Sequence, residues 1–154
     1  MTKKPAGKTL ALNKHAKHDY EILETFEAGL VLTGQEVKSA KAGQISLKGS
    51  YVTINQNEAW LLNAHISAYK PAGGIPSYDP THSRKLLLKR KEIERLRGKI
   101  QETGLTAVPL AVYTSKSRIK VEVGLGRGKK QYEKKETLKK RDVIKEIRRT
   151  LKNQ

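Results

Sequence analysis

The apolar positions of this chain alternate with polar ones along much of its length, which predicts a mainly β fold. The clearest alternation runs through residues 118–123, where Ile119, Val121 and Val123 should face a core and the charged residues between them should face outward. Weaker strand patterns occupy residues 20–24, 30–32, 51–54, 59–62 and 108–112. The patterns at residues 51–54 and 59–62 are joined by polar residues and predict a hairpin.

Two segments have helical rather than strand patterns. Residues 35–41 predict a short helix ended by Gly43, because glycine is common just after a helix C-terminus. Residues 83–102 predict a longer helix, in which Ile93, Leu96 and Ile100 form one narrow apolar stripe. This longer helix precedes the last two predicted strands.

The strand over residues 108–112 contains a proline. Val108, Leu110 and Val112 should share one face of it and Pro109 should lie on the other, so we expect this strand at a sheet edge. Six or so short antiparallel strands with inserted helices predict a small closed β-barrel, of which the OB-fold is the nucleic-acid-binding example. The expected fold class is therefore mainly β and OB-fold-like.

Composition divides the chain into three parts. Residues 1–12 are basic and contain Gly and Pro, so we expect a flexible basic arm. Residues 13–126 form the predicted barrel, interrupted at 70–80 by an exposed connection rich in Pro and Gly. Residues 127–154 carry twelve Lys or Arg against four Asp or Glu and only a sparse apolar stripe. That last segment predicts a tail that is disordered when free and becomes helical on a partner.

The charge of the chain indicates a polyanionic partner. The formal net charge is +17, of which the tail supplies +8 and the remaining residues +9, so both parts are basic. In a protein of this size RNA is the partner that we expect. The chain has no cysteine and no apolar stretch of signal-peptide or membrane-span length. We therefore expect a soluble, cytoplasmic protein without a membrane partner.

The residues that commonly carry catalysis form no recognisable motif. The four histidines are not spaced as a metal-ligand set, and no acidic pair stands out as a general acid and base. Residues 124–129 resemble a phosphate-binding loop but lack its spacing, so a flexible hinge is favoured there. We expect no enzymatic activity, no cofactor and no bound metal.

A basic cluster surrounds three consecutive leucines at residues 86–88. They cannot all face one core on a helix or a strand, so either one is exposed and packs on a ribose or base, or all three are buried where the helix meets the barrel. Lys120 lies on the outward face of its predicted strand. It is either solvated or in contact with a phosphate, and the pattern leaves both alternatives open.

The sequence resembles the SsrA-binding proteins (small protein B, SmpB) from about residue 9 to its C-terminus. The matching strings are Leu12-Asn13-Lys14, His18-Asp19-Tyr20 and those at residues 24–30, 33–39, 64–66, 79–81, 84–88 and 128–130. At three positions the chain departs from the family pattern. His82 and Lys135 stand where arginine is expected, and Glu133 stands where aspartate is expected.

This resemblance implies a monomeric RNA-binding protein with no catalytic role. Such proteins bind transfer-messenger RNA, stand in for its missing anticodon arm, and deliver it to stalled ribosomes, so that nascent chains are tagged for degradation. The further partners implied are small-subunit rRNA at the decoding centre and mRNA channel, and elongation factor Tu with alanyl-transfer-messenger RNA. The alternative is a generic rRNA-binding protein of the ribosomal or initiation-factor type with an OB-fold.

The resemblance also implies two sets of contact residues. The RNA-binding set is Asn13, Lys14, His18, Tyr20, Glu27, Arg84, Lys85, Leu87, Lys89 and Lys120. The ribosome-binding tail set is Arg127, Lys129, Lys130, Tyr132, Lys134, Lys135, Lys139, Lys140 and Arg141. A carboxylate such as Glu27 on an RNA surface would either accept a hydrogen bond from a base amine or fix a neighbouring cation.

Overall fold

The structure is a computed structural model that describes residues 7–69, 77–101 and 105–129. Its strands are β1 (Thr9–Leu12), β2 (Tyr20–Leu30), β3 (Ile45–Ser46), β4 (Tyr51–Asn55), β5 (Glu58–Leu62), β6 (His65–Ile66), β7 (Arg84–Leu87), β8 (Leu105–Ser115) and β9 (Arg118–Gly128). Its helices are α1 (Ala16–Asp19), α2 (Gly34–Lys41) and α3 (Arg90–Gln101). The prediction of a mainly β protein is confirmed.

Six strands form a ring of hydrogen-bonded neighbours. Around it, β2 pairs with β9, β9 with β8, β8 with β4, β4 with β5, β5 with β7, and β7 again with β2, all antiparallel. Strand β1 also pairs with β8, at residues of β8 that follow those paired with β4. Strands β3 and β6 form a separate pair. Because every strand of the ring has two partners, few of its backbone groups are left for another chain to pair with.

The core lies inside this ring. Ile119, Val121 and Val123 of β9 are all buried, as their alternation predicted. Leu96, the buried residue of α3, reaches the same apolar cluster, which therefore joins the helix to the strands. None of the described helices is long and apolar enough to cross a membrane.

A bulge in β8 changes which residues face the core. The apolar cluster takes Ala107 and Val112 from β8, an odd spacing, because the pairing with β9 shifts register between Pro109 and Ala111. The prediction that Val108, Leu110 and Val112 share one face of the strand is therefore wrong. The expected edge position is also wrong, because β8 pairs with β9 on one side and with β1 and β4 on the other. Pro109 lies instead at the bulge, where a strand can accommodate a proline.

Two predicted boundaries were wrong because strands run further than their patterns suggested. Residues 20–32 contain one continuous strand, β2, rather than two separated by Ala28 and Gly29. Residues 84–87 form β7 rather than the first turn of a long helix, since Arg84 and Leu86 face inward and the residues between and after them face outward. Helix α3 begins only at Arg90.

The predicted ends of the barrel also shift. Residues 9–12 of the supposed flexible arm are strand β1, held by pairing with β8. Residues 124–128 continue β9 rather than forming a hinge, because their glycines permit close contacts: a Cβ on Gly124 would meet Leu110 Cδ1 at 2.8 Å and one on Gly126 would meet Glu21 O at 2.6 Å. Residues 1–6 and 130–154 of the predicted arm and tail lie outside the described residues.

Two local predictions are confirmed by their turn geometry. Helix α2 begins with a capping box between Thr33 and Glu36 and is followed by Gly43 at φ +82°, a conformation that favours glycine. The hairpin of β4 and β5 turns through Gln56 and Asn57, both with positive φ. Positive φ at both central residues matches the right-handed twist of the two strands. Of the predicted connection, residues 70–76 lie outside the described residues.

The inward and outward positions of β7 predict opposite costs for two adjacent leucines. Leu86→Ala should lower the free energy of unfolding by about 2–5 kcal/mol, because Leu86 is 1% exposed in the core. Leu87→Ala should change it by less than about 0.5 kcal/mol, because Leu87 is 55% exposed. Urea denaturation of both variants measures the difference, and equal costs would contradict the assignment of residues 84–87 to a strand.

Candidate nucleic-acid interface

Four residues on neighbouring strands form a cross-strand row on the outer face of the ring. Leu87 of β7 is paired with Gly29 of β2, Gly29 with Lys120 of β9, and Lys120 with Tyr113 of β8. Directly paired residues project to the same face of a sheet, and the next residue of β9, Val121, is in the core. We call Leu87, Gly29, Lys120 and Tyr113 the outer row.

The exposed leucine of the outer row lies on the glycine. A Cβ on Gly29 would meet Leu87 Cβ at 3.3 Å, so the missing side chain leaves room for Leu87 to cross the strand. Leu87 is 55% exposed, whereas Leu86 is buried and Leu88 is partly buried. Of the two alternatives left open by the sequence, one exposed leucine is the one that the structure shows.

An acidic residue stands beside the outer row. Glu27 lies two residues before Gly29 on β2, on the same face, and is paired with Glu122 of β9. The Tyr113 hydroxyl donates a hydrogen bond of 2.5 Å to Glu27 Oε2. Burial of Tyr113, together with the hydrogen bond to the Glu27 carboxylate and its charge, raises the pKa of Tyr113 well above its ordinary value. The phenol therefore keeps its proton and acts as a donor.

Arg84 has a structural position instead of a surface one. Its guanidinium bonds Glu36 Oε2 from Nε at 2.9 Å and from Nη2 at 2.8 Å. Nη1 also donates to Ala64 O at 2.7 Å, and Nη2 donates to Pro80 O at 2.9 Å. With 1% of the residue exposed and the guanidinium occupied in this way, Arg84 cannot reach RNA, and its predicted RNA contact is corrected here.

Glu36 sits at the centre of this buried group. Besides Arg84, its Oε2 atom contacts the Tyr78 hydroxyl at 3.1 Å and His82 Nε2 at 2.9 Å. Burial alone would raise the pKa of Glu36, but the hydrogen bond from the Thr33 amide and the contacts with Arg84 and His82 lower it to about 2. The cluster thus holds α2, β7 and the segment that precedes β7 together around one ionised carboxylate.

Two residues of the predicted RNA-binding set, Asn13 and Lys14, line an open groove. The groove is lined by Leu12, Asn13, Lys14, Ala16, Lys17, Leu110, Ala111 and Glu122. Its last member is the cross-strand partner of Glu27. Because Glu122 lines the groove together with Asn13 and Lys14, these two residues lie on the side of the molecule that carries Glu27.

Several residues of the predicted set have structural contacts of their own. Asn13 Nδ2 donates to Pro109 O at 2.9 Å and its backbone N–H donates to Leu110 O at 2.8 Å, which closes the gap beside the β8 bulge. His18 Nδ1 lies 3.0 Å from Asp19 Oδ1, and its Nε2 is buried without a hydrogen-bond partner in the described structure. Tyr20 begins β2 and is half-buried.

The remaining body residues of the set are exposed lysines. Lys85 projects outward from β7 and pairs with Glu58 at 3.4 Å. Lys89 precedes α3, and its backbone N–H donates to Glu92 Oε1 at 3.1 Å, which caps the helix. Both ammonium groups remain accessible to a partner, and neither lysine belongs to the outer row.

Only the first residues of the predicted tail set are described. Arg127 lies in β9 opposite Glu21 and Leu105, and is exposed. The Lys129 backbone N–H donates to Asp19 O at 2.9 Å, and its Nζ donates to Lys17 O at 2.8 Å. The other tail residues of the set lie outside the described residues: Lys130, Tyr132, Lys134, Lys135, Lys139, Lys140 and Arg141.

Sequence reasoning missed two residues that organise this region. Tyr113 follows an unremarkable strand pattern, and its bond to Glu27 spans 86 residues. Glu36 was read only as part of a short helix, although the capping box with Thr33 was a local signal for its position. In the part of the chain that the structure describes, no group of three or more His, Asp or Glu is arranged to hold a metal ion.

Comparisons with known proteins agree on one family. A family model described as SmpB protein matches residues 10–153. An SsrA-binding protein of Oleidesulfovibrio alaskensis is 50% identical over 153 residues, covering 98% of each chain. One of Sulfurihydrogenibium sp. is 52% identical over 145 residues, covering 94% of this chain and 95% of the other. A solved chain described under "tmRNA-SmpB: a journey to the center of the bacterial ribosome" superposes with a TM-score of 0.67 at 43% identity, covering 84% of this chain and 94% of that one.

The ionised Glu36 carboxylate predicts an acid-dependent loss of stability. Its folded pKa of about 2 lies below the ordinary 4.5, so its contribution is complete above about pH 4.5 and is lost as the pH falls toward 2. Glu36→Gln should destabilise the protein at pH 6, and the difference from wild type should shrink by roughly 3 kcal/mol by pH 2.

Urea denaturation across this pH range measures the difference, with Glu94→Gln on exposed α3 as the matched control. The control should show a small difference from wild type at every pH. A Glu36→Gln difference that stays constant with pH would contradict the placement of an ionised Glu36 in this cluster.

Proposed function

This chain belongs to the SmpB family, and we propose that it binds transfer-messenger RNA and delivers it to stalled ribosomes for trans-translation. The observation that carries the proposal is the outer row with its neighbours. An exposed leucine, an outward lysine and an anchored carboxylate lie side by side on paired strands of a rigid ring. In this arrangement the leucine suits a ribose or base face, the lysine suits a phosphate, and the carboxylate suits a hydrogen-bond donor.

The ring of six strands supports the finer assignment of the fold. We take it to be a closed antiparallel β-barrel of the OB-fold type, with α3 inserted before the last two strands. OB-folds bind nucleic acids on an outward strand face, and the outer row occupies such a face here. In this assignment residues 9–128, from the start of β1 to the end of β9, make up the body, and the arm and the tail flank it.

The cations of this surface suit a folded RNA. Lys120 lies in the outer row, Lys14 lines the groove, and Lys85 and Lys89 are exposed on and after β7. Lysine ammonium groups bind phosphates and release counterions, which supplies much of the affinity. Leu87 then packs against a ribose or base, since an exposed apolar side chain gains most from covering an apolar face.

The RNA-binding set of the proposal follows from these positions. Leu87, Glu27 and Lys120 contact RNA directly from the strands. Asn13, Lys14, His18 and Tyr20 form its N-terminal side, and Lys85 and Lys89 provide peripheral charge. Arg84 acts indirectly, because its buried bond to Glu36 holds β7 in place.

The tail provides the second interaction of the proposal. Residues 127–154 carry a net charge of +8, which suits the phosphate-lined decoding centre and mRNA channel of the small subunit. Ordering such a segment as a helix costs about 2–5 kcal/mol, so it lodges only where many contacts are free. An mRNA already in the channel would exclude it, and this competition would select ribosomes that lack mRNA there.

The remaining aspects of the proposal follow from family membership. The protein acts as a monomeric, cytoplasmic RNA-binding partner without an enzymatic step of its own. Elongation factor Tu carries the alanylated RNA in the same complex. The tail residues Lys129, Lys130, Tyr132, Lys134, Lys135, Lys139, Lys140 and Arg141, with Arg127, contact the ribosome.

The RNA that copurifies with the protein tests this function directly. We expect sequencing of RNA captured by the tagged full-length protein from its own cells to be dominated by transfer-messenger RNA. Capture of bulk rRNA alone, in the proportions of a ribosomal protein, would instead support a generic rRNA-binding role. Capture from salt-washed extracts separates direct RNA binding from ribosome association.

Lys120→Ala tests the outer row within the same experiment. It should reduce capture of transfer-messenger RNA and make the salt dependence of binding less steep by about one unit, because one phosphate contact is lost. Lys41→Ala, at the exposed end of α2, is the matched control and should leave both unchanged. An unaltered slope for Lys120→Ala would remove Lys120 from the phosphate contacts.

A further inference from the structure

Glu27 is a carboxylate on a surface that is otherwise suited to bind polyanions. Removing it would raise the net charge from +17 by one and reduce repulsion of RNA phosphates. We therefore expect Glu27 to make a favourable contact that offsets its repulsion of the phosphates. The sequence left two alternatives for that contact, a base amine or a neighbouring cation.

The structure argues against the cation. Across the described ranges, the Glu27 carboxylate makes no ion pair with a lysine, arginine or histidine. Lys120 is its diagonal neighbour, since Lys120 is paired with Gly29 while Glu122 is paired with Glu27. Glu122 adds a like charge directly opposite, which disfavours rather than stabilises the carboxylate.

The partner that Glu27 does have is neutral and nearly immobile. Tyr113 is 4% exposed, and its ring reaches from β8 past β9 to donate to Glu27 Oε2 at 2.5 Å. The buried ring cannot follow a moving carboxylate, so the bond fixes the orientation of the carboxyl group. Within the described residues Oε1 makes no hydrogen bond, and Glu27 is exposed, so Oε1 is available to a partner.

A fixed carboxylate oxygen selects the kind of RNA group that can approach it. An ionised carboxylate only accepts hydrogen bonds and repels phosphate, so the group must be a neutral donor. Lys120, one diagonal step away at roughly 7–8 Å, can hold the phosphate of the same nucleotide segment. The donor at Oε1 can then come from a base edge. Base edges offer the exocyclic amino groups of adenine, cytosine and guanine, and the ring N–H groups of guanine and uracil, and the amino groups occur on three of the four bases.

We propose that Tyr113 is a positioning residue that holds Glu27 Oε2, so that Oε1 accepts a hydrogen bond from the amino group of an unpaired nucleobase in the bound RNA. The pair thereby gives the outer row selectivity for a base, which phosphate contacts alone do not provide. This inference rests on the proposed RNA-binding function and adds a residue and a specificity to it.

A double-mutant cycle tests the coupling between the two residues. Tyr113→Phe removes only the hydroxyl group and should weaken binding of the tRNA-like part of transfer-messenger RNA by roughly fivefold to tenfold. Glu27→Ala should weaken it at least as much, although electrostatics alone would strengthen it. In the Glu27→Ala background, Tyr113→Phe should have no further effect. Tyr51→Phe, another tyrosine on a strand of the ring, is the matched control and should bind as wild type.

A merely structural role for Tyr113 gives a different result. In that case Tyr113→Phe would lower the melting temperature to the same extent in both backgrounds, and the folded variants would bind RNA like their parents. Measuring thermal unfolding beside RNA affinity separates the two roles. Equal affinity of wild type and Tyr113→Phe, or additive losses in the double variant, would overturn the inference.

Nucleotide-analogue interference tests the base contact itself. RNA transcribed with some inosine in place of guanosine, or purine riboside in place of adenosine, lacks the amino group at scattered positions. Wild type should reject RNA lacking the amino group at one position, and both variants should tolerate it there. The base contact would be overturned if the Glu27 variant instead relieved interference from a 2′-deoxy substitution in the RNA. It would also be overturned if the variants relieved amino-group interference at no position.

The same measurements distinguish a failure of the proposed function from a failure of the inference about Tyr113. If wild type does not bind the tRNA-like RNA at all, the function itself is wrong. If wild type binds and Lys120→Ala weakens binding, but the double-mutant cycle shows no coupling, only the inference about Tyr113 is wrong.

Discussion

The buried ion pair between Glu36 and Arg84 is the constraint on which the rest of this structure depends. Both side chains are almost fully removed from water, and desolvation offsets much of their attraction. The effect of the pair is therefore mainly geometric. It ties the N-terminal turn of α2 to β7 and, through Ala64 O and Pro80 O, to the segments on either side of residues 70–76. With Arg84 fixed inward, strand periodicity directs Lys85 and Leu87 outward.

Strand pairing transmits this constraint from the ion pair to the outer row. Once β7 is fixed, its register with β2 places Leu87 over Gly29, and the register of β2 with β9 places Lys120 beside them. Tyr113 completes the row from β8 and reaches back to Glu27. The outer row thus depends on four strands and no loop, so its geometry is set by backbone hydrogen bonds. Such a site is more rigid than one built on loops.

The sequence predicted the features that depend on neighbouring residues. The alternation around Val121, the hairpin of β4 and β5 and the end of α2 before Gly43 all follow from local periodicity or turn chemistry. The exposed leucine was one of two alternatives that the local pattern left open. It failed where contacts distant in the chain override a local pattern. The bulge beside Pro109, the strand at residues 84–87 and the burial of Arg84 all arise from partners on other strands or on α2. An arginine beside lysines gives no local sign that a glutamate 48 residues earlier will enclose it.

The central claim is that RNA binds to the outer face of β7, β2, β9 and β8. An NMR titration of isotope-labelled protein with the tRNA-like part of transfer-messenger RNA tests this most directly, because each backbone amide reports its own surroundings. We expect the largest amide perturbations at Gly29, Leu87, Lys120 and the strand residues beside them, with α3 and the hairpin of β4 and β5 little changed. Perturbations centred on α3, with those three amides unaffected, would contradict the account.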